Sequence, residues 1–184
     1  MNSDESRNLV EKKESHINFD VHMRIRLLIT GGTFDKEYDL INGKLYFNDT
    51  NVGEILERGR NTTDVSVRTL MMVDSLEMTD EDRELIISQC IKCDEDKVII
   101  THGTDTMVET ALKIQEAAIS KTIVLTGAMI PYTFGSSDGL YNMGSAMAFV
   151  QTLPHGVYIA MNGRYFLAGN VRKNRKTGYF EALQ

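Results

Sequence analysis

With 184 residues, 42% of them hydrophobic, the chain has enough apolar side chain for one sizeable domain. A formal charge of -6 argues against nonspecific nucleic-acid binding, which needs a basic surface. No apolar run approaches the roughly 20 residues of a membrane helix, so no membrane partner is expected.

Residues 1–22 read as a separate polar tail, and 23–184 as the folded domain. The tail has no clear period and no apolar core like that of a signal peptide, so a cytoplasmic address is expected. His22-Met23 has the look of a cloning junction, with Met23 as a natural start. Ile25-Arg26-Leu27-Leu28-Ile29 is then a short apolar run, the pattern of a buried parallel strand. Thr30-Gly31-Gly32-Thr33 ends it. The two glycines let the backbone turn sharply and pass close to a ligand. Thr33 sits just past the strand end, where open α/β sheets bind ligands. Its hydroxyl is a candidate nucleophile, and Tyr38 follows on a loop. A plain structural turn fits this stretch as well. A phosphate site does not, because neither G-x-G-x-x-G nor G-K-[ST] follows.

Asn42-Gly43, between Tyr38–Ile41 and Lys44–Phe47, predicts a hairpin, since both residues tolerate positive φ. Directly after the first strand, it would make a flap. Residues 50–58 have a helical look, with Val52, Ile55 and Leu56 on one side. Val65–Val73 reads as the second core strand and ends in Asp74-Ser75. A helix follows from Thr79 to about Cys93, with Asp80, Glu81 and Asp82 in its first turn, where the dipole favours acidic residues. Cys90 and Cys93 form a lone C-x-x-C near its end. Zinc would need two more ligands, and a thioredoxin-like pair would open a helix, so ordinary helix residues are the favoured reading.

Lys97–Thr101 is the third core strand, followed by the loop His102-Gly103-Thr104-Asp105-Thr106. Thr106-x-x-Glu109 reads as a capping box for a helix whose inner stripe is Met107, Ala111, Ile114 and Ala118. Thr122–Thr126 is the fourth strand, with Gly127–Pro131 after it and a polar loop to Ser137-Asp138-Gly139. The next helix turns Leu140, Met143, Met147 and Val150 inward. Val157–Met161 is the fifth strand, and 162–184 a loop-rich end with Arg172, Lys173, Arg175 and Lys176. Strands alternating with helices imply an α/β fold with a mostly parallel sheet covered on both faces.

In such a sheet, Thr30/Thr33, Asp74-Ser75, Thr104-Asp105 and the Gly127 loop share one edge. Helix capping accounts for Thr106 and Ser137, but less well for Thr104-Asp105. A threonine hydroxyl is a poor nucleophile at neutral pH and needs a base. Thr104 paired with a lysine, the lysine held by Asp105, would be one arrangement. Lys173 is the candidate, although spacing alone favours a solvated basic loop.

The chain resembles the bacterial-type L-asparaginases, amidohydrolases with a threonine nucleophile. The resemblance rests on Thr30-Gly31-Gly32-Thr33, Asp74–Asp80 (DSLEMTD), Thr101–Ala111 (THGTDTMVETA), Thr126–Pro131 (TGAMIP) and Ser137-Asp138-Gly139. It implies a flavodoxin-like three-layer α/β/α sandwich with a β-hairpin flap after the first strand, and an asparaginase N-terminal-type catalytic domain over 23–184. By position, Thr33 matches the nucleophile, Thr104 and Asp105 the second threonine and its acidic neighbour, and Lys173 the lysine, in Gly169-Asn170-Val171-Arg172-Lys173. Ser75 matches the serine that holds the substrate α-carboxylate, and Asp105 also takes the α-ammonium. Gly32, Asp74, Gly103 and Ala128 complete the implied substrate contacts. Tyr38, with Tyr46 as fallback, is implied to assist Thr33.

The resemblance further implies L-asparagine as substrate, a β-aspartyl enzyme intermediate, no metal, no organic cofactor and a homo-oligomer (dimer or tetramer). Family members are near twice this length, and their second domain has no counterpart here. Leu76 stands where many relatives carry glutamine, and Ile130 where arginine is frequent. Both bear on substrate preference. The rival expectations are a broader amidase acting on L-glutamine or related amides, and a catalytically silent amino-acid-binding or regulatory protein.

Overall fold

The strand that precedes Thr33 is β1 (Arg24–Gly31), and in this computed structural model, which describes residues 23–184, it lies inside a six-stranded sheet. The polar tail expected at 1–22 lies outside the described residues. The main sheet is completed by β4 (Asp64–Val73), β5 (Lys97–Thr101), β6 (Thr122–Thr126), β7 (Gly156–Met161) and β8 (Arg164–Leu167). Their order is β4-β1-β5-β6-β7-β8. All neighbours are parallel except β7 and β8. Taken as the first five sheet strands, this is the order 2-1-3-4-5 of flavodoxin-like folds, with one antiparallel strand added.

The strands feed two cores, because successive side chains point to opposite faces. Leu28, Val98, Ile100, Ile123 and Leu125 pack under α2 (Asp80–Lys92) and α3 (Met107–Glu116). Leu27, Ile29, Ile99 and Val124 pack under α1 (Val52–Arg58) and α4 (Gly139–Thr152). This gives the three expected layers. Thr79 closes a capping box with Asp82 at the start of α2, which explains why the helix begins there. Cys90 is in the core, where burial pushes its thiol up to about 12, and Cys93 ends the helix. Among the described residues, no helix is long and apolar enough to cross a membrane.

Several local expectations need correction: Leu140, expected to face inward on α4, is 43% exposed, and Ala118 lies beyond the end of α3 and is exposed. Val65–Val73 belongs to an edge strand, not a central one, and Val67 is 43% exposed. Thr106 makes no side-chain cap for α3; its hydroxyl instead donates to the Ser75 carbonyl at 2.8 Å. The flap exists, as β2 (Lys36–Asp39) paired with β3 (Lys44–Phe47), but Asp39 faces Lys44 across a four-residue loop rather than an Asn-Gly turn. The Asp39 carboxylate accepts the Ile41 and Asn42 amides at 2.8 and 3.1 Å, which draws Leu40 and Ile41 into the loop.

The two-residue turn occurs elsewhere, at Asn162-Gly163, where φ is 57° and 74° and Met161 faces Arg164. Positive φ at both positions suits a type I′ turn. That turn makes β8, so the end of the chain is more ordered than a loop-rich basic stretch. It also contains β9 (Arg172–Lys173) and β10 (Phe180–Glu181), which pair antiparallel.

Candidate active site

The loops leaving β1, β4, β5 and β6 meet at the carboxyl edge of the sheet, beside the point between β1 and β5 where the strand order reverses. They approach as closely as glycine permits. Gly32 has φ 82°, and a Cβ there would lie 2.4 Å from the Gly103 nitrogen. A Cβ on Gly103 would lie 2.5 Å from Ser75 Oγ. The Thr33 loop therefore lies backbone on backbone against the Thr104 loop, and the Ser75 side chain packs on Gly103. Gly32→Ala adds both strain and a clash, and we expect it to lower unfolding free energy by about 2 kcal/mol or more, read by urea denaturation.

Thr33 opens a 3₁₀ turn, Thr33–Asp35, and is partly exposed. Its hydroxyl hydrogen-bonds no protein group among the described residues, nor do the amides of Thr33 and Thr104 reach a protein acceptor. Thr104 is nearly buried at 4% exposure. Its Oγ accepts a hydrogen bond from Lys173 Nζ at 2.8 Å, and the same ammonium donates to Asp105 Oδ1 at 2.9 Å. The ammonium reaches this position because β9 is pinned through β10, whose Phe180 is in the core and donates its amide to Asn162 Oδ1 at 2.9 Å. Arg175, largely exposed, stands 4.0 Å from the same Asp105 oxygen.

Ser75 is 2% exposed. Asp74 beside it accepts the Leu76 amide at 2.9 Å and pairs with Lys36. Burial pushes the Asp74 carboxyl up, but the Lys36 ammonium and the Leu76 N–H outweigh it and hold the group below its ordinary value. Ala128 is fully buried in the loop after β6. Tyr38 makes no hydrogen bond to Thr33 among the described residues: its ring sits edge-on to Phe134 at 6.4 Å and it is 49% exposed. Tyr46 donates its hydroxyl to Glu37 at 3.0 Å.

Three supports escaped the sequence reading. The His102 ring is fully buried, and burial lowers it to about 4, so it is neutral. Its Nδ1 lies 2.8 Å from the Gly103 carbonyl and its Nε2 2.8 Å from Thr110 Oγ, which also accepts from Arg83 Nε at 3.2 Å. This network assigns the ring proton to Nδ1 and fixes the loop just before Thr104. Asp138 Oδ1 accepts the amides of Met129 and Ile130 at 2.9 and 3.1 Å, fixing the loop after Ala128.

Asp35 is the third. It is fully buried and accepts Thr50 Oγ and the Asn51 amide at 2.9 and 3.0 Å, so it ties the far end of the flap back to Thr33's turn. Burial pushes it up to about 6, and its Oδ2 has no partner. The folded state thus holds this proton more tightly than the unfolded chain. The contribution is present at low pH and is lost as pH rises through about 6. Asp35→Asn should remove up to about 3 kcal/mol of that dependence, measured by denaturation at a series of pH values between the two carboxyl titrations and neutrality.

The family description "Asparaginase, N-terminal" matches residues 24–184. A protein named "Probable L-asparaginase periplasmic" from Haemophilus influenzae is 32% identical over 165 residues, covering 83% of this chain and 47% of that protein. An L-asparaginase from Thermococcus kodakarensis is 29% identical over 161 residues, 85% of this chain and 49% of that one. Among solved structures, the thermostable L-asparaginase from Thermococcus kodakarensis superimposes with a TM-score of 0.78 at 26% identity, covering 87% and 51%. A probable cytoplasmic L-asparaginase from Campylobacter jejuni gives 0.76 at 31% identity, covering 86% and 52%. The chain spans about half the length of the curated relatives it matches.

Proposed function

Because the chain belongs to the asparaginase family, through the N-terminal domain matched over residues 24–184, we propose that it hydrolyses L-asparagine to L-aspartate and ammonia. The observation that carries this reading is the Lys173 ammonium held on both Thr104 and Asp105 beside the Thr33 turn. In the proposed first displacement, Thr33 Oγ attacks the side-chain amide carbon and forms a β-aspartyl ester. The C–N bond breaks, and the nitrogen leaves as ammonia with the proton that Thr33 gives up. In the second displacement, water attacks the ester, and its proton returns to Thr33 as aspartate departs.

Thr104 Oγ accepts a hydrogen bond from the Lys173 ammonium, so its own hydroxyl is set to relay: it passes a proton to the leaving nitrogen as it takes up the one Thr33 gives up, and later passes one to Thr33 as it takes up one from the attacking water. The free amides of Thr33 and Thr104 are suited to the oxyanion of each tetrahedral intermediate, and one such donor is typically worth about 3 kcal/mol of barrier. Ser75 and Asp105 Oδ2 are assigned to the α-carboxylate and α-ammonium, with Gly32, Gly103 and Ala128 shaping the floor. Asp74 serves by holding Ser75, since its carboxylate is already occupied. Tyr38 is assigned to close over Thr33 when the flap moves; Tyr46 is the alternative. No metal or organic cofactor enters these steps.

A homo-oligomer and a cytoplasmic location belong to the same proposal. The names of its relatives divide on compartment, one periplasmic and one cytoplasmic. The test is ammonia release from L-asparagine, D-asparagine and L-glutamine by the purified protein. Release from L-asparagine in clear excess over the other two supports the proposal; glutamine at an equal rate favours the broader amidase, and none from any favours a silent binding protein.

A further inference from the structure

The flap is fastened to the body at its base. Beyond Asp39 its apolar tip stands clear, with Leu40 88% and Ile41 93% exposed. At the base, Thr133 Oγ donates to the Lys36 carbonyl at 3.3 Å, and the Tyr38 ring meets Phe134 edge-on. The Lys36 ammonium lies 5.6 Å from the centre of the Phe47 ring, across the hairpin, and pairs with the Asp74 carboxylate at the end of β4. Among the described residues, this is the hairpin's one ion pair to the rest of the molecule.

The pair is not a loose surface contact. The Lys36 side chain is 16% exposed and that of Asp74 is 29% exposed. Exposed ion pairs contribute little, whereas a partly buried one with fixed geometry holds its elements together. Its position matters too. Lys36 comes three residues after Thr33, and Asp74 immediately precedes Ser75. One contact therefore spans from the turn that presents the hydroxyl to the loop that presents the carboxylate-binding serine. The same ammonium faces the Phe47 ring across the hairpin, so one charge touches both flap strands and the β4 loop.

We propose that Lys36 is a positioning residue: its ion pair with Asp74 latches the flap to the Ser75 loop and sets the affinity of the site for its amino-acid substrate. The catalytic part of this inference rests on the asparaginase reading; the latch itself does not.

Lys36→Met keeps an aliphatic side chain against Phe47 and removes the charge, while Lys36→Arg keeps the charge. Two readouts are taken on each: KM and kcat for L-asparagine, and amide hydrogen exchange over residues 37–47. Lys36→Met should raise KM by about 10-fold or more, leave kcat within about 3-fold, and speed exchange across the flap. Lys36→Arg should stay within about 3-fold of wild type in KM and keep the flap protected. Unchanged KM and exchange in Lys36→Met would overturn the latch, as would Lys36→Arg behaving like Lys36→Met. If the wild type releases no ammonia, the asparaginase reading fails, and the exchange comparison alone still decides whether the latch exists.

Discussion

On the proposed function, replacing Thr33 with alanine should lower ammonia release from L-asparagine by about 10⁴-fold while leaving the protein folded. The expectation follows from how Thr33 is held. Its hydroxyl has no hydrogen-bond partner in the protein among the described residues, and its backbone is set by Gly32 and by the Asp35 amide, which donates to the Gly32 carbonyl at 3.2 Å. Removing the hydroxyl therefore deletes chemistry without deleting structure. The unfolding free energy should change by less than about 0.5 kcal/mol, as for a substitution that breaks no packed or bonded feature. Thr33→Ser, which keeps a hydroxyl, should retain measurable turnover. Steady-state ammonia assays beside denaturation curves check all three statements. A Thr33→Ala variant that keeps a tenth or more of wild-type turnover would remove Thr33 from the mechanism.

On the same proposal, replacing Lys173 with methionine should lower kcat by about 10²- to 10³-fold, the range of a lost group in proton transfer. Lys173 is the donor to both Thr104 Oγ and Asp105 Oδ1. Without it, Thr104 loses the donor that orients its hydroxyl, and Asp105 is left with Arg175 as the nearest cation, exposed and 4.0 Å away. The Asp105 side chain is 33% exposed, so water can reach it and the stability cost should be modest, about 1–2 kcal/mol. Lys173→Arg should not restore the rate. The planar guanidinium fork does not reproduce one ammonium bridging two oxygens. The pair of variants is read by kcat for L-asparagine with denaturation as the control for folding. Full activity in Lys173→Met would show that the Thr104–Asp105 pairing is only a strut.

Much of this arrangement is legible in the sequence because it follows from local rules. Five apolar runs ended by small polar loops place Thr33, Ser75, Thr104 and Ala128 at one sheet edge, and the parallel topology brings these loops together. Lys173 is different. Spacing alone leaves it a solvated basic residue, and it reaches Thr104 through the β9–β10 pairing and the burial of Phe180, which are long-range. Thr106 shows the same limit. It has the pattern of a capping box, but the nearby Ser75 carbonyl competes for its hydroxyl. At Asn42-Gly43 the turn signal is outweighed by the Asp39 side chain, whereas the same dipeptide at 162–163 makes the tight turn. Arg83 and Asp35 lie in none of the family motifs, and His102 lies in one that does not mark its supporting role. Their roles come from burial, which a single sequence does not print.

The most direct test of the Thr33 assignment is to mix the protein with L-asparagine, quench in acid within the first turnovers, and map the peptides by mass. A β-aspartyl ester on the peptide that contains Thr33, absent from Thr33→Ala and lost when the quench is delayed past substrate exhaustion, is the predicted result. Turnover of L-asparagine with an aspartyl adduct on another residue, such as Thr104, would contradict it.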